Sequence, residues 1–309
     1  MADLLLMVQP PEPLLATLGR DHSLHCGWDA DLAALPLDRI AGLCTVGSRG
    51  ADAALIGRLP ALQFISCFGS GYEKVDLAAA RARGIRVTSC IGANHDCVAD
   101  MAFALLLASA RRVVEADRFV RDGRWAARVP RPGLVRGVKG RKLGILGLGA
   151  IGLEVAQRAQ GFAMPVAYHN RRRRGDVPWP YFDSPLALAA WADIVVVALR
   201  AGPDNRHIID ASFLAALGPD GILVNVSRGS AVDEAALVAA LERGWLAGAG
   251  LDVFEGEPAV SARLRALPNI VLTPHLAAAT TDAIDRQSAI VLRQIGDLAA
   301  GRPTVGEVA

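Results

Sequence analysis

The sequence has little net charge and no hydrophobic run long enough to cross a membrane. Lys and Arg total 33 against 31 Asp and Glu, which leaves a formal net charge of +2. That balance gives no basic surface of the kind that binds nucleic acids or anionic membranes. The longest apolar run, MAFALLLASA at residues 101–110, is only about half a membrane span, so a buried helix explains it better. We therefore expect no nucleic-acid partner and no membrane partner.

Cysteine is scarce, and its few positions form no recognisable pattern. All 5 cysteines lie in the first third of the chain, and none belongs to a C-x-x-C pair. Their odd number and their scatter favour reduced, mostly buried thiols in a cytoplasmic protein. The 6 histidines show no metal-ligand spacing, so no metal is predicted. The opening residues, MADLLLMVQP, include an acid at Asp3 and a very short apolar run, so we expect no secretory signal peptide.

The chain does contain a long alternation of short apolar runs and Ala/Leu-rich helical patterns. The apolar runs are continuous, which is typical of parallel strands covered by helices on both faces. We predict strands at LLLMV (4–8), LCTV (43–46), QFISC (63–67), IRVTS (85–89), LGIL (143–146), MPVAYH (164–169), DIVVVAL (193–199), ILVNV (222–226), AGAGLDV (247–253) and IVLT (270–273). This alternation predicts a doubly wound α/β architecture.

A single long helical pattern, from about Asp96 to Arg121, separates two such series. Residues 121–142 follow it and are rich in Gly, Pro and Arg, which indicates a loop or arm before a second β-α-β series. The last helical pattern, at 284–301, can return to pack on the first series. We therefore predict one domain of residues 1–97 plus 284–309, with a second domain, 98–283, inserted into it.

The stretch LGILGLGAIGLEVAQRA (143–159) has the glycine spacing of a dinucleotide-binding turn. Gly147, Gly149 and Gly152 directly follow a predicted strand and open a helix. In that context glycines permit a tight turn, close approach to a pyrophosphate and close helix–strand packing, although a purely structural turn is the alternative. We assign the whole turn to cofactor binding: Gly147, Leu148, Gly149, Ala150, Ile151 and Gly152.

The stretch AYHNRRRRG (167–175) indicates which dinucleotide is bound. The acid that receives the ribose 2′-hydroxyl is expected about 20 residues beyond the turn, but His169 and Asn170 stand there. A carboxylate would repel a 2′-phosphate, whereas Arg171 and Arg172 can pair with one. A solvated basic loop is the simpler alternative. We predict NADP(H) as the cofactor, bound by Asn170, Arg171 and Arg172.

Three further strand ends carry groups that can do chemistry. They are Arg228 in VNVSRGSAVDE, Glu257 in GLDVFEGEP and His275 in LTPHLAAAT. Ligands of open α/β sheets bind at the carboxyl ends of the strands, so these side chains are candidates for one site. Singly, each has an ordinary explanation: a surface arginine, a turn glutamate and a capping histidine. The residues alone leave the enzyme assignment open.

These stretches, with GSGYEKVDLAAARARGIRVT (69–88), DCVADMAFALLLASARR (96–112) and GILGLGAIG (144–152), resemble the D-isomer-specific 2-hydroxyacid dehydrogenases. The resemblance covers nearly the whole chain. Within the family the chain looks most like the NADPH-preferring glyoxylate/hydroxypyruvate reductases, partly because of YHNRR. The resemblance implies two doubly wound parallel-sheet domains, a Rossmann cofactor domain inserted into a flavodoxin-like substrate domain.

The resemblance also implies a reaction, the NADPH-dependent reduction of a small 2-oxo acid to the D-2-hydroxy acid. Glyoxylate and hydroxypyruvate are the favoured substrates. The alternatives are 2-ketogluconate, an aromatic 2-oxo acid, or a non-catalytic role as a dinucleotide-sensing co-repressor. A homodimer is expected, because the family is commonly dimeric and because the apolar helix and the arm around Trp125 offer more apolar surface than one domain needs.

Catalytic roles follow from the resemblance position by position. It makes His275 the general acid/base, hydrogen-bonded by Glu257. Arg228 holds the carboxylate and the carbonyl of the substrate, and together with His275 it counts among the substrate-binding residues. Asp252 in LDVF resembles an acid that faces the cofactor near the nicotinamide.

The remaining assigned residues are predicted to bind ligands without taking part in proton transfer. Val98 stands where the family packs against the nicotinamide, and Val226 is assigned to the cofactor contacts. Ser70 and Gly71, in the GSG motif, stand where backbone N–H groups receive the substrate carboxylate.

Overall fold

The computed structural model describes residues 1–200 and 202–309, and the chain divides into two compact units. The first comprises residues 1–94 and 278–309, and the second comprises residues 95–277. The helix that opens the second unit begins at His95.

The strands, in chain order, are β1 (Asp3–Leu6), β2 (Ser23–Cys26), β3 (Ile40–Val46), β4 (Phe64–Phe68), β5 (Arg86–Ser89), β6 (Leu143–Leu146), β7 (Val166–His169), β8 (Ile194–Val197), β9 (Ile222–Asn225), β10 (Gly248–Leu251) and β11 (Ile270–Leu272). The helices are α1 (Glu12–Asp21), α2 (Ala53–Gly57), α3 (Leu77–Ala82), α4 (His95–Ala110), α5 (Val113–Arg121), α6 (Ala150–Gly161), α7 (Pro185–Trp191), α8 (Ala211–Leu217), α9 (Glu234–Glu242), α10 (Ala262–Ala266) and α11 (Thr281–Ala299). Short 3-10 turns lie at Leu32–Ala34, Pro203–Asn205 and Gly229–Ala231.

The first unit is built on a parallel sheet with the strand order β2-β1-β3-β4-β5. This is the flavodoxin-like order, in which the direction of winding reverses between β1 and β3. One face of the sheet is covered by α1 and α11, and the other by α2 and α3. Beyond β5, the C-terminal residues pair antiparallel with it through Thr88 and Glu307.

The second unit contains a parallel sheet with the order β11-β10-β9-β8-β6-β7. A parallel bridge between Tyr168 and Tyr181 adds a short pairing beyond β7. The spatial order Tyr181-β7-β6-β8-β9-β10 is then the Rossmann order 3-2-1-4-5-6. Strands β6, β8, β9 and β10 are buried along their whole length, which explains their continuous apolar sequences. The predicted architecture, a Rossmann unit inserted into a flavodoxin-like one, is confirmed.

Two details differ from the sequence-based prediction. Strand β2 was not predicted, because SLHC is short and lies at the edge of the sheet with its side chains only half-buried. The predicted single helix over 96–121 is instead the two helices α4 and α5. Arg112 interrupts it with a left-handed backbone (φ 52°), which the sequence does not signal with glycine or proline.

The segment after α5 forms an exposed arm. From residue 130 to 137 it has no assigned secondary structure, and Trp125 and Leu134 present apolar side chains to solvent. Across the described ranges 1–200 and 202–309, no helix combines the length with the hydropathy that a membrane crossing demands.

Candidate active site

The glycine turn lies between β6 and α6. Gly147 has φ 104°, and a Cβ there would lie 2.4 Å from the backbone nitrogen of Leu199. Gly152 faces the carbonyl oxygen of Gly147, 2.3 Å from where its Cβ would be, whereas a Cβ on Gly149 would meet open space. No side chain caps α6, so its first N–H groups remain available to an anion. The turn therefore fits a pyrophosphate, with its backbone accessible at Gly149.

The four arginines that follow β7 have different roles. Arg174 donates a hydrogen bond to the carbonyl of Leu148 (3.0 Å) and pairs with Asp176, so it supports the glycine turn. Asn170 also holds this turn, because its Oδ1 accepts the N–H of Leu148 at 2.6 Å. Arg171 and Arg172 are exposed, and within the described residues no hydrogen bond or ion pair to either is found. These two cations are thus left at the end of β7, and Arg173 beside them is exposed as well.

His275 and Glu257 form a hydrogen-bonded dyad in the second unit. His275 donates from Nδ1 to Oε2 of Glu257 at 2.9 Å. The other carboxylate oxygen, Oε1, accepts the backbone N–H of Phe254, also at 2.9 Å. Both carboxylate oxygens of Glu257 are therefore occupied, which fixes its orientation and leaves Nε2 of His275 as the ring nitrogen for proton transfer.

The dyad shifts the pKa of both partners. Burial alone would raise the pKa of Glu257, but hydrogen bonds from His275 and Phe254 outweigh it and hold the pKa below its ordinary value. The hydrogen bond to Glu257 raises the pKa of His275, against the opposing effects of partial burial and of the positive charge on Arg228. The imidazolium form of His275 therefore persists to higher pH than in an isolated histidine.

Arg228 lies at the end of β9, within electrostatic reach of both members of the dyad. Its charge lowers the pKa of Glu257 and of His275. Its backbone is held by Asn225, whose Nδ2 donates to the carbonyl of Arg228 at 2.9 Å, and its Nη1 donates to the carbonyl of Ser227 at 2.7 Å. The second unit thus brings together a cation, a carboxylate and an imidazole from three strand ends.

Asp252 shapes the loop that carries His275. It is fully buried, and its carboxylate accepts hydrogen bonds from the Thr273 hydroxyl (2.6 Å) and from the N–H groups of Leu276 and Ala277 (2.9 Å each). Its carbonyl oxygen accepts the N–H of His275 at 2.8 Å. These hydrogen bonds hold the backbone of His275 at φ 54°, an unusual conformation for a residue with a side chain. From its motif, Asp252 is expected only to face the cofactor, so this structural role is an addition.

A second network joins the turns that carry Arg228 and Glu257. A Cβ on Gly229 would lie 1.8 Å from the carbonyl carbon of Phe254, so these two backbones touch. Glu255, which follows Phe254 in the chain, accepts hydrogen bonds from Arg206 and from His207 Nε2 (2.8 Å). The backbone N–H of Glu255 donates to the Glu234 carboxylate at 2.7 Å. We call this set, Arg206, His207, Glu234 and Glu255, the Glu255 cluster. No motif in the sequence indicates this cluster.

The remaining assigned residues lie in both units. Val98 on α4 and Val226 after β9 are buried in the second unit. Ser70 and Gly71 follow β4 in the first unit, and their assignment to the substrate carboxylate stays a prediction. Among the residues that the structure describes, no group of three His, Cys, Asp or Glu side chains is arranged to hold a metal ion.

Comparison with known proteins places this geometry in a family. The chain is 40% identical over 278 residues to hydroxyphenylpyruvate reductase of Plectranthus scutellarioides, covering 90% of this chain and 88% of that protein. It is 42% identical over 253 residues to glyoxylate/hydroxypyruvate reductase A of Arabidopsis thaliana, covering 82% and 79%.

A solved structure has the same fold over the full chain. The NADPH-dependent glyoxylate/hydroxypyruvate reductase of Sinorhizobium meliloti, in complex with NADP and malonate, superposes with a TM-score of 0.93 at 34% identity, covering 100% of this chain and 97% of that one. The family model for the NAD-binding domain of D-isomer-specific 2-hydroxyacid dehydrogenases matches residues 103–277. The chain belongs to the D-isomer-specific 2-hydroxyacid dehydrogenase family.

Proposed function

We propose that this protein uses NADPH to reduce a small 2-oxo acid, glyoxylate or hydroxypyruvate, to the D-2-hydroxy acid. The observation that carries the proposal is the His275–Glu257 dyad, with Arg228 in electrostatic reach. Arginine fits a planar carboxylate through two parallel hydrogen bonds, and imidazolium is a good acid near neutral pH. The names of the relatives from Arabidopsis and Sinorhizobium support the same reaction.

Each residue has a defined part in the reduction. When bound, NADPH would supply the hydride that reduces the carbonyl carbon of the substrate. His275 donates the proton from Nε2 to the carbonyl oxygen as negative charge develops there, and the neutral ring then regains a proton from solvent. Glu257 stabilises the imidazolium before transfer and keeps its orientation. Arg228 holds the substrate carboxylate and stabilises charge on the adjacent oxygen.

The choice of NADP(H) over NAD(H) rests on the end of β7. Arg171 and Arg172 are exposed cations there, and Asn170, which precedes them in the chain, is neutral. A 2′-phosphate would gain two charge-assisted contacts, and position 170 holds a neutral asparagine where a carboxylate would repel it. The turn residues 147–152, with Val98 and Val226, complete the proposed cofactor contacts, and the fully buried Asp252 acts through the loop that it holds.

Two alternatives differ from this proposal in activity or in substrate. A non-catalytic dinucleotide sensor needs no proton donor, so the intact dyad argues against it. An aromatic 2-oxo acid is the second candidate substrate, supported by the similarity to hydroxyphenylpyruvate reductase.

A spectrophotometric panel of 2-oxo acids with NADPH and NADH tests the proposal. We expect oxidation of NADPH with glyoxylate and hydroxypyruvate, and a kcat/KM for NADPH at least about tenfold above that for NADH, equivalent to about 1.4 kcal/mol. Replacing Arg171 and Arg172 by Ala should remove that preference. Equal use of both cofactors by the wild type would contradict the NADPH assignment, and a complete lack of turnover would contradict the reaction.

A further inference from the structure

The loop that follows β7 carries the arginines proposed to select the cofactor, and we call residues 170–182 the β7 loop. Its far end is hydrogen-bonded to the backbone of Tyr168 in β7. The N–H of Tyr168 donates to the carbonyl of Pro180 at 3.0 Å, and its carbonyl accepts the N–H of Phe182 at 2.8 Å. The β7 loop therefore leaves the strand and returns to it, and residues 171–173 need further contacts to take up a single position.

Arg174 attaches the β7 loop to the second unit through both its backbone and its side chain. Its N–H donates to the Tyr168 hydroxyl at 2.8 Å, and the same hydroxyl donates to the carbonyl of Arg174 at 3.1 Å. Tyr168 is fully buried, so this hydroxyl is a fixed point for the loop. Arg174 Nη1 donates to the carbonyl of Leu148 at 3.0 Å, Nε donates to Asp176 at 2.9 Å, and Nη2 also pairs with Asp176. Each guanidinium nitrogen of Arg174 thus has a partner in the protein.

Leu148, in the glycine turn, holds the β7 loop on both sides of residues 171–173. Its N–H donates to Asn170 Oδ1 at 2.6 Å, and its carbonyl accepts the hydrogen bond from Arg174. The Tyr181 hydroxyl donates to the carbonyl of Asn170 at 3.2 Å. Positions 170 and 174 are therefore anchored, whereas the three arginines between them are exposed. Because ordering a free arginine side chain costs conformational entropy, recognition by these arginines depends on where their backbone is held.

We propose that Arg174 is a positioning residue for the selection of NADP(H) over NAD(H). It holds the backbone of residues 171–173 so that Arg171 and Arg172 meet a 2′-phosphate. It does not bind the phosphate itself, because its guanidinium is engaged by Leu148 and Asp176. This inference rests on the proposed function and adds to it a residue that acts without contact with the cofactor.

Binding of NADPH and NADH to the whole protein, measured by fluorescence titration, provides the first test. Arg174→Lys keeps the positive charge, but an ammonium cannot replace the guanidinium fork that bonds Asp176 and Leu148 together. We expect the Kd of NADPH to rise about tenfold and that of NADH to change less than about twofold, since only NADPH carries the 2′-phosphate. Arg263→Lys, in an exposed ion pair with Glu242, is the matched control and should leave both values unchanged.

Tyr168→Phe tests the same role without any change of charge. The aromatic ring keeps its packing, but the N–H and the carbonyl of Arg174 lose their shared partner. We expect the ratio of the two Kd values to shift in the same direction as in Arg174→Lys. Thermal melting establishes that each variant folds. If Tyr168→Phe does not fold, Arg174→Lys decides the question, because its side chain is only half-buried.

Asp176→Ala separates positioning from direct contact with the phosphate. Arg174 then loses the partner of Nε and Nη2, so the positioning role predicts weaker binding of NADPH. Tighter binding would mean that direct attraction of the phosphate by Arg174 outweighs its effect on the loop, and would overturn the inference.

The remaining outcomes separate this inference from the proposed function. Wild-type protein that binds NADH as tightly as NADPH would contradict the proposed cofactor, and this inference with it. A wild-type preference for NADPH that persists unchanged in folded Arg174→Lys and Tyr168→Phe would overturn the inference alone. Equal weakening of both cofactors in these variants would assign Arg174 to the support of the glycine turn, and would also overturn it.

Discussion

At the scale of single residues, His275 depends on two carboxylates in different ways. Glu257 hydrogen-bonds the ring and sets its charge, whereas Asp252 hydrogen-bonds the surrounding backbone and sets its position. Glu257 affects the protonation state of His275, and Asp252 affects the position of its backbone, so removing each carboxylate should produce a different kinetic defect.

Removal of the imidazole tests its role as proton donor. His275→Ala should lower kcat by about 10²–10⁴-fold, the usual magnitude for general acid catalysis. Binding of NADPH, measured by fluorescence titration, should survive because the proposed pyrophosphate and phosphate contacts lie at residues 147–152 and 170–172. Near-wild-type kcat in this variant would remove His275 from the mechanism, together with the role assigned to Glu257.

Neutralising the partner carboxylate tests the charge of the dyad through pH. In Glu257→Gln the amide still accepts a hydrogen bond, but the negative charge that raises the pKa of His275 is gone. Reduction needs protonated His275 and falls as pH rises through its pKa, so the alkaline limb of the kcat/KM profile should move to lower pH. A limb that stays in place would show that Glu257 does not set the titration.

At the scale of elements, the proposed catalytic groups lie on loops that other loops hold in position. The Glu255 cluster connects the segment after β8 with the turn after β10, and Gly229 packs the Arg228 turn against the same backbone. These contacts fix the spacing of Arg228 and Glu257 without either side chain taking part.

Breaking the Glu255 cluster should therefore impair catalysis from outside the reacting groups. Glu255→Ala leaves the 254–257 turn without its contacts to Arg206 and His207, and we expect kcat/KM to fall about tenfold, or about 1.4 kcal/mol in the barrier. Glu242→Ala, which removes an exposed ion pair with Arg263, is the control and should have no effect. Equal activity of the two variants would contradict a positioning role.

The sequence predicted the elements better than the contacts between them. Strand β6 was predicted with its observed bounds, because LGIL is apolar throughout and bounded by a glycine turn. The break at Arg112 was missed, since any residue can occupy a left-handed position when the surrounding packing requires it. The roles of Asp252 and Glu255 were missed for another reason. Their partners are backbone N–H groups and distant side chains, which leave no pattern in the sequence.

At the scale of the whole molecule, the exposed arm after α5 is the feature that suggests assembly. Trp125 lies 57% exposed with Arg131 near its ring, and Leu134 is fully exposed. Large apolar side chains in such a segment are typical of residues that a second subunit covers. We propose a two-fold homodimer in which this arm takes part.

Light scattering at micromolar concentration tests this assembly. We expect a mass twice the 32.5 kDa of one chain, and a shift toward the single-chain mass in Leu134→Asp. Leu186→Asp, at a half-exposed leucine on α7 outside the arm, should leave the dimer intact. A single-chain mass for the wild type would refute the proposal.

The packing of α11 on the first sheet constrains how the chain folds during synthesis. Val291, Ile295 and Leu298 of α11 cover Leu4 and Phe64 of that sheet. After the ribosome has made β1–β5, it must add residues 95–277 before α11 emerges, which takes roughly 10–40 s at typical rates of elongation. During that interval only α1 covers this apolar sheet face, and the part that α11 will cover stays exposed. Nascent chains of this protein should therefore recruit chaperones at the first unit, and synonymous codons that slow translation of the insert should lower its soluble yield.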